Sequence, residues 1–245
     1  MEFVAQQTSV PIPKIYEIYE YDQGAHLVME EVPGGNIKLC YGGMTPEQIK
    51  TFGRELADCL LQLRALSPPS PGFIGSVRQE SNIDHSLSGK PFGPFSSIAD
   101  FHTYLRRGRP LAHWEGELDV VRTHSTPEKY SVKFSHAELN PNNIMVKDGH
   151  ITAVIDWEFA GWYPEYWDYC KMYWCPRAPL WNNFYRAIEE EDTIVKYPVE
   201  LAGEQAIWKR MHPWSYDDPP WQLGDDELAL EERNISDING SNSQE

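Results

Sequence analysis

Positive charge is scarce in this chain. Lys and Arg number 21 against 37 Asp and Glu, a formal net charge of −16 over 245 residues. Non-specific binding to nucleic acid or to anionic membranes depends on basic patches, so neither partner is expected. No apolar run is long enough to span a bilayer. The opening MEFVAQQTSVPIPK has neither a basic leader nor an apolar core, which makes cytoplasmic residence the expectation. Cysteine is sparse too. Cys40, Cys59, Cys170 and Cys175 show no metal-site spacing and are expected to be free thiols. What is plentiful is aromatic and apolar content. Nine Trp, thirteen Tyr and 41% apolar residues suffice for the core of one large domain or two small lobes.

One stretch organises the rest: FSHAELNPNNIMVKDGHITAVIDWEFAGW, residues 134–162. Apolar runs at 144–146 and 151–155 flank Lys147-Asp148-Gly149-His150. Asp-Gly between strand-patterned runs is a strong hairpin signal. A two-residue turn sets Lys147 opposite His150, and counting outward sets Asn143 opposite Val154. Side chains alternate along a strand, so Asp156 shares a face with Asn143 as a diagonal neighbour, ~7–8 Å away by backbone. A polar loop with His136 and Glu138 lies just upstream. Hard oxygen donors grouped this way suit Mg²⁺, which takes one or two protein carboxylates and fills its other positions with water and phosphate. From the spacing alone, the plainer reading is a hairpin whose polar end faces water.

The order His136-Ala137-Glu138-Leu139, Asn143, Ile155-Asp156-Trp157 resembles the H-G-D-(x)4-N…I-D-W pattern of the aminoglycoside phosphotransferase family. The similarity runs from residue 1 to about 215, and GWYPEYWDY at 161–169 resembles its fungal branch. The resemblance implies an α+β, protein-kinase-like fold: a mostly helical C-lobe with a catalytic β-hairpin and a truncated small β N-lobe. It divides the chain into an N-lobe remnant and hinge (1–35), a C-lobe (36–222) and a disordered acidic tail (223–245). By position, Glu138 becomes the base that deprotonates the acceptor hydroxyl, with His136 beside it. Asn143 and Asp156 hold Mg²⁺ on the ATP phosphates. Backbone groups of Glu30, Glu31 and Val32 meet the adenine edge, and Asp168 braces the catalytic loop. The implied partners are ATP and a small molecule bearing a hydroxyl.

Two departures stand out. Glu138 occupies the family's Asp position, and its extra methylene moves the carboxylate by about an ångström, a displacement that costs ~100-fold in rate. Ala137 replaces Gly, a small change. In addition, no G-x-G-x-x-G stretch and no V-A-I-K-like strand lysine occurs in these 245 residues, although both normally position the phosphates in kinase-like enzymes. Impaired transfer is therefore expected. A pseudokinase-like binding or scaffold protein, and a fragment of a longer phosphotransferase, are the alternatives. A metal-dependent hydrolase on Glu138, Asn143, Asp156 and Glu158 fits the carboxylates alone.

Elsewhere the patterns are ordinary. Residues 1–8 read as the end of a helix, with strands at 15–21 and 25–31 and a break at Val32-Pro-Gly-Gly35. Residues 44–66 read as a helix with Thr45 as N-cap, Gln48 completing a capping box and an apolar stripe from Ile49 to Leu63. Residues 72–95 read as a surface loop and 97–107 as a short helix whose C-terminal Arg106, Arg107 and Arg109 favour the helix dipole. Residues 163–174 read as a helix with Glu165 and Asp168 in its first turn, and further helices are expected near 180–191 and 199–212.

Overall fold

A computed structural model describes residues 1–22, 24–40, 43–174 and 182–210. The chain opens with helix α1 (Glu2–Gln7), which ends where Thr8 turns extended ahead of Pro11 and Pro13. Strands β1 (Ile15–Tyr21) and β2 (Gly24–Met29) then form an antiparallel ribbon. The Pro33-Gly34 break follows. Gly34 has φ of 100°, and a Cβ there would sit 2.1 Å from the carbonyl oxygen of Val146. Only glycine allows this close approach, which lets β3 (Gly35–Asn36) pair with the strand at residues 145–146.

After the short α2 (Ile37–Cys40) comes α3 (Pro46–Ala65), the longest helix among the described residues. Its start follows from sequence chemistry. Thr45 accepts from the Gln48 N–H, the Gln48 side chain returns the bond to the Thr45 N–H, and Pro46 occupies the first position, where its missing donor costs nothing. Phe52, Leu56, Leu60 and Leu63 recur every three or four residues and are all buried. Each contributes about 1.5–3 kcal/mol of apolar burial, in a helix that packs on the strands at Val132–Ser135 and His150–Val154.

Residues 72–95 are not all loop. They contain a small hairpin, β4 (Asn82–Asp84) and β5 (Ser88–Phe92). Its strands are too short to show alternation, and the Asp84–Ser86 turn that joins them is made by side-chain bonding. Helix α4 (Ile98–Leu105) is capped by Ser97. Arg106, Arg107 and Arg109 beyond it are buried rather than splayed into water. Arg106 Nη1 bonds His124 Nδ1 at 2.9 Å on α5 (Leu118–His124). Thus the 110–130 segment folds as short helical turns around a buried arginine.

Strands β6 (Val132–Ser135), β7 (Ile144–Lys147), β8 (His150–Val154) and β9 (Gly161–Pro164) frame the site. β3, β7 and β8 make one antiparallel sheet, and β6 pairs with β9. The helix expected over 163–174 is shorter. Residues 161–164 pair with β6 instead, so α6 (Trp167–Met172) starts three residues beyond Pro164. Glu165 therefore precedes the helix and pairs with Arg64 at 3.6 Å. Helices α7 (Asn182–Glu190) and α8 (Pro198–Arg210) complete the described chain. Trp157, Trp162 and Trp167 are buried, as expected of core filling. Cys40, Cys59 and Cys170 are free thiols. Cys175 and the 223–245 tail lie outside the described residues.

Candidate active site

The hairpin turn forms where Asp-Gly predicts it. Asp148 and Gly149 both have positive φ, 53° and 89°, as a type I′ turn requires, and Lys147 faces His150. The register beyond it differs from simple counting. A bulge between Met145 and Val146 leaves Thr152 without a partner, so Ile144, not Asn143, faces Val154. The hydroxyl of Thr152 donates instead to the Pro33 carbonyl at 2.9 Å. Asn143 now sits against Ile155, whose N–H donates to the Asn143 carbonyl at 2.9 Å. Asp156 has φ of 64° and is exposed. The left-handed residue ends strand alternation and turns the carboxylate outward.

What joins these groups is Glu138. The Asn143 amide Nδ2 donates to the Glu138 carbonyl at 3.0 Å and to its Oε2 at 3.2 Å. Glu138 is half-buried. Burial raises its carboxyl above the ordinary range, and the nearby Asp156 charge raises it further, while Lys171 and the Asn143 bond pull it back. Glu138, Asn143 and Asp156 thus belong to one electrostatic cluster.

The loop that carries Glu138 is over-determined. Asp168 on α6 is buried and accepts the His136 N–H at 3.2 Å and the Ala137 N–H at 2.8 Å. Burial nevertheless pushes its carboxyl up to about 6. Ala137 has φ of 64°, a left-handed conformation that suits glycine. Replacement of the family's glycine is therefore a strained change, held in place by Asp168. His136 is fully buried, and both ring nitrogens are engaged. Its Nε2–H donates to the Ile155 carbonyl at 3.0 Å, and its Nδ1 accepts the Glu138 N–H at 3.2 Å. Burial holds this imidazole neutral, down to about 4. The ring ties the loop to the segment leading into Asp156.

In the stretch expected to form the hinge, the Glu30 N–H is already given to the Lys14 carbonyl at 2.8 Å. Among the described residues, no hydrogen bond occupies the backbone of Glu31 or Val32.

A buried ion pair next to the cluster escaped sequence reasoning. Lys171 on α6 donates to Asp84 Oδ1 at 2.8 Å and to the Ser86 hydroxyl at 2.5 Å, with the Lys171 and Asp84 side chains only 3% and 0% exposed. It clamps the β4–β5 hairpin beside Glu138. The partners lie more than eighty positions apart, and a lysine in a short helix reads as surface charge, so no local signal marks it.

The model of the phosphotransferase enzyme family matches residues 1–202. An aminoglycoside 3′-phosphotransferase of Enterococcus faecalis is 23% identical over 210 residues, covering 82% of this chain and 70% of that protein. The clavilactone A biosynthesis cluster protein Y of Ampulloclitocybe clavipes is 23% identical over 194 residues, 65% of this chain and 47% of its own length. The chain therefore spans about half of one curated relative and seven-tenths of the other. Among solved structures, a thermostable mutant of aminoglycoside phosphotransferase APH(4)-Ia in ternary complex with ADP and hygromycin B superposes with a TM-score of 0.52 at 15% identity, over 96% of this chain and 79% of that one. The GDP and kanamycin complex of APH(2")-IIia gives 0.52 at 12% identity, over 98% and 80%. Among the described residues no helix is long and apolar enough to cross a membrane. With a family match over most of its length and this fold, the chain belongs to the aminoglycoside phosphotransferase family, with the protein-kinase-like architecture.

Proposed function

We propose that this chain binds a magnesium nucleotide, with ATP as the expected one, and transfers its terminal phosphoryl group to a hydroxyl of a small molecule. The observation that carries the reading is the convergence on Glu138: Asn143 bonds its carboxylate at 3.2 Å and the Asp156 charge acts on the same group.

The donor set fits Mg²⁺. Asn143 spends its Nδ2 on Glu138, which leaves the amide oxygen for a cation, and Asp156 offers an exposed carboxylate. Two hard oxygens suit an ion that keeps water and phosphate in its remaining positions. Among the described residues no group of three or more His, Cys, Asp and Glu forms a closed metal cage. Bound there, the ion would neutralise charge on the phosphates. In this reading Glu138 accepts the acceptor's hydroxyl proton as the oxygen bonds to phosphorus and ADP leaves. His136, neutral and doubly bonded, positions that base. Glu31 and Val32 offer backbone to the adenine, with Glu30 committed to β1. Residues 1–35 act as part of the smaller lobe and hinge, and 36–222 as the catalytic lobe of a cytoplasmic enzyme.

A second reading rests on a specific feature. These residues contain no glycine-rich loop and no strand lysine for the phosphates. Most of the rate in phosphoryl transfer comes from positioning and charge stabilisation, so slow turnover, or binding without turnover, is favoured for this chain.

Thermal-shift titration with ATP and Mg²⁺, alongside ADP release over a panel of hydroxylated acceptors, tests both. Magnesium-dependent stabilisation that disappears in Asn143→Ala and Asp156→Asn is expected. Turnover lost in Glu138→Gln identifies the enzyme, whereas a shift without turnover identifies the binding protein. No stabilisation at millimolar nucleotide would sink both readings.

A further inference from the structure

The chain that follows Val32 is tied to the β7–β8 hairpin at several points. Gly35 pairs with Val146 and Asn36 with Met145, which makes β3 the third strand of the hairpin's sheet. Gly34 lies so close to the Val146 carbonyl that a Cβ would collide with it. The Lys38 N–H donates to the Pro141 carbonyl at 3.2 Å, in the loop that leads to Asn143. The Thr152 hydroxyl donates to the Pro33 carbonyl at 2.9 Å. Of these ties, only that of Thr152 uses a side chain. The bulge frees it for the purpose: Ile151 pairs with Val146 and Ala153 with Met145, and Thr152 between them pairs with neither. A bulge beside a site re-aims a side chain in this way.

We propose that Thr152 is a positioning residue for the nucleotide: its bond to Pro33 fixes the spacing between the backbone that meets the base and the Asn143–Asp156 pair that holds the metal on the phosphates. The inference rests on the roles given to those groups under the proposed function. One sheet joins the two ends. Asn143 directly precedes β7 and Asp156 lies just beyond β8. Glu31 and Val32 lie just before Pro33, the residue that Thr152 holds. A nucleotide must engage both ends at once. If their spacing wandered, it would have to be ordered on binding, at a cost in affinity. A fixed spacing strengthens the ligand that spans both ends and does nothing for either half alone. Adenosine and tripolyphosphate are those halves. A bond that merely stabilised the fold would treat all three ligands alike.

Calorimetric titration of the full chain with ATP and Mg²⁺, and competition against ATP by adenosine and by tripolyphosphate, tests the assignment. Thr152→Val keeps the β-branched shape that suits a strand and removes only the hydroxyl. It is expected to raise the dissociation constant for ATP about three- to tenfold, the size of one hydrogen bond. The constants for adenosine and tripolyphosphate are expected to stay at their wild-type values. Thr152→Ser keeps a hydroxyl and is expected to restore ATP binding. Urea denaturation of each variant confirms that it is folded. Equal ATP affinity in Thr152→Val and wild type overturns the proposal. Equal weakening of ATP and of either half-ligand overturns it too, because a damaged half-site then explains the loss. Thr152→Ser as weak as Thr152→Val removes the hydroxyl from the argument. Adenosine that fails to displace ATP from wild type refutes the contact with the base. A wild-type chain that binds no ATP sinks the underlying reading instead.

Discussion

Asp168 Oδ1 accepts the backbone N–H of Ala137 at 2.8 Å, from 31 positions further along the chain. Its second oxygen takes the neighbouring N–H of His136. One buried carboxylate therefore fixes two consecutive peptide groups of the loop that carries Glu138, including one residue in a left-handed conformation. Asp168→Ala strands two buried donors and is expected to cost about 2–4 kcal/mol of stability. Asp168→Asn keeps one acceptor and is expected to lose roughly half as much. Urea denaturation with equal m-values for wild type and variants is the measurement.

Glu138→Asp shortens the proposed base by one methylene. If the longer side chain misplaces the carboxylate by about an ångström, the substitution is expected to raise turnover by up to about 100-fold. The nucleotide KM should change little, because Asn143 and Asp156 are untouched. Initial rates with any accepted hydroxyl substrate decide the matter. A rate that falls would show that the loop has been rebuilt around Glu.

The Lys171–Asp84 pair, at 2.8 Å and almost wholly buried, should behave as a unit. Lys171→Met alone leaves a buried carboxylate without its cation and is expected to cost about 3–5 kcal/mol. Lys171→Met with Asp84→Asn removes both charges and should recover much of that loss. A double-mutant cycle by urea denaturation measures the coupling, and simple additivity would refute it.

Stability should also carry a pH signature from α8. Glu204 is fully buried, with Oε1 accepting from Tyr166 at 3.4 Å, and burial pushes its carboxyl up to about 8. A raised folded-state value favours the neutral form. Its contribution is therefore complete below the unfolded value of 4.5 and is lost as pH rises through 8. The stacked rings of His102 and His124, 3.9 Å apart, are pushed the other way, chiefly by burial. Kept neutral when folded, they give up stability as pH falls below 6.5. Glu204→Gln isolates the first effect. Relative to wild type it should gain stability with rising pH across that interval, at no more than about 1.4 kcal/mol per pH unit. Melting curves at pH 5 and pH 9 check the sign, and parallel curves would exclude it.

Some local chemistry was readable along the chain. Thr45, Pro46 and Gln48 start α3, and Asp148-Gly149 turns the hairpin, because a cap or a two-residue turn is settled by neighbours a few positions away. The spacing of His136, Glu138, Asn143 and Asp156 pointed to the family for the same reason. The register of that hairpin was not readable, since its bulge goes with a bond from Thr152 to the Pro33 carbonyl, 119 positions away in sequence. Nor were the grip of Asp168 on the loop, the burial of the arginines after α4, or the lysine clamped under β4–β5. Each of these depends on which groups lose water together, and that is decided only when distant segments pack and every buried donor and charge must find a partner.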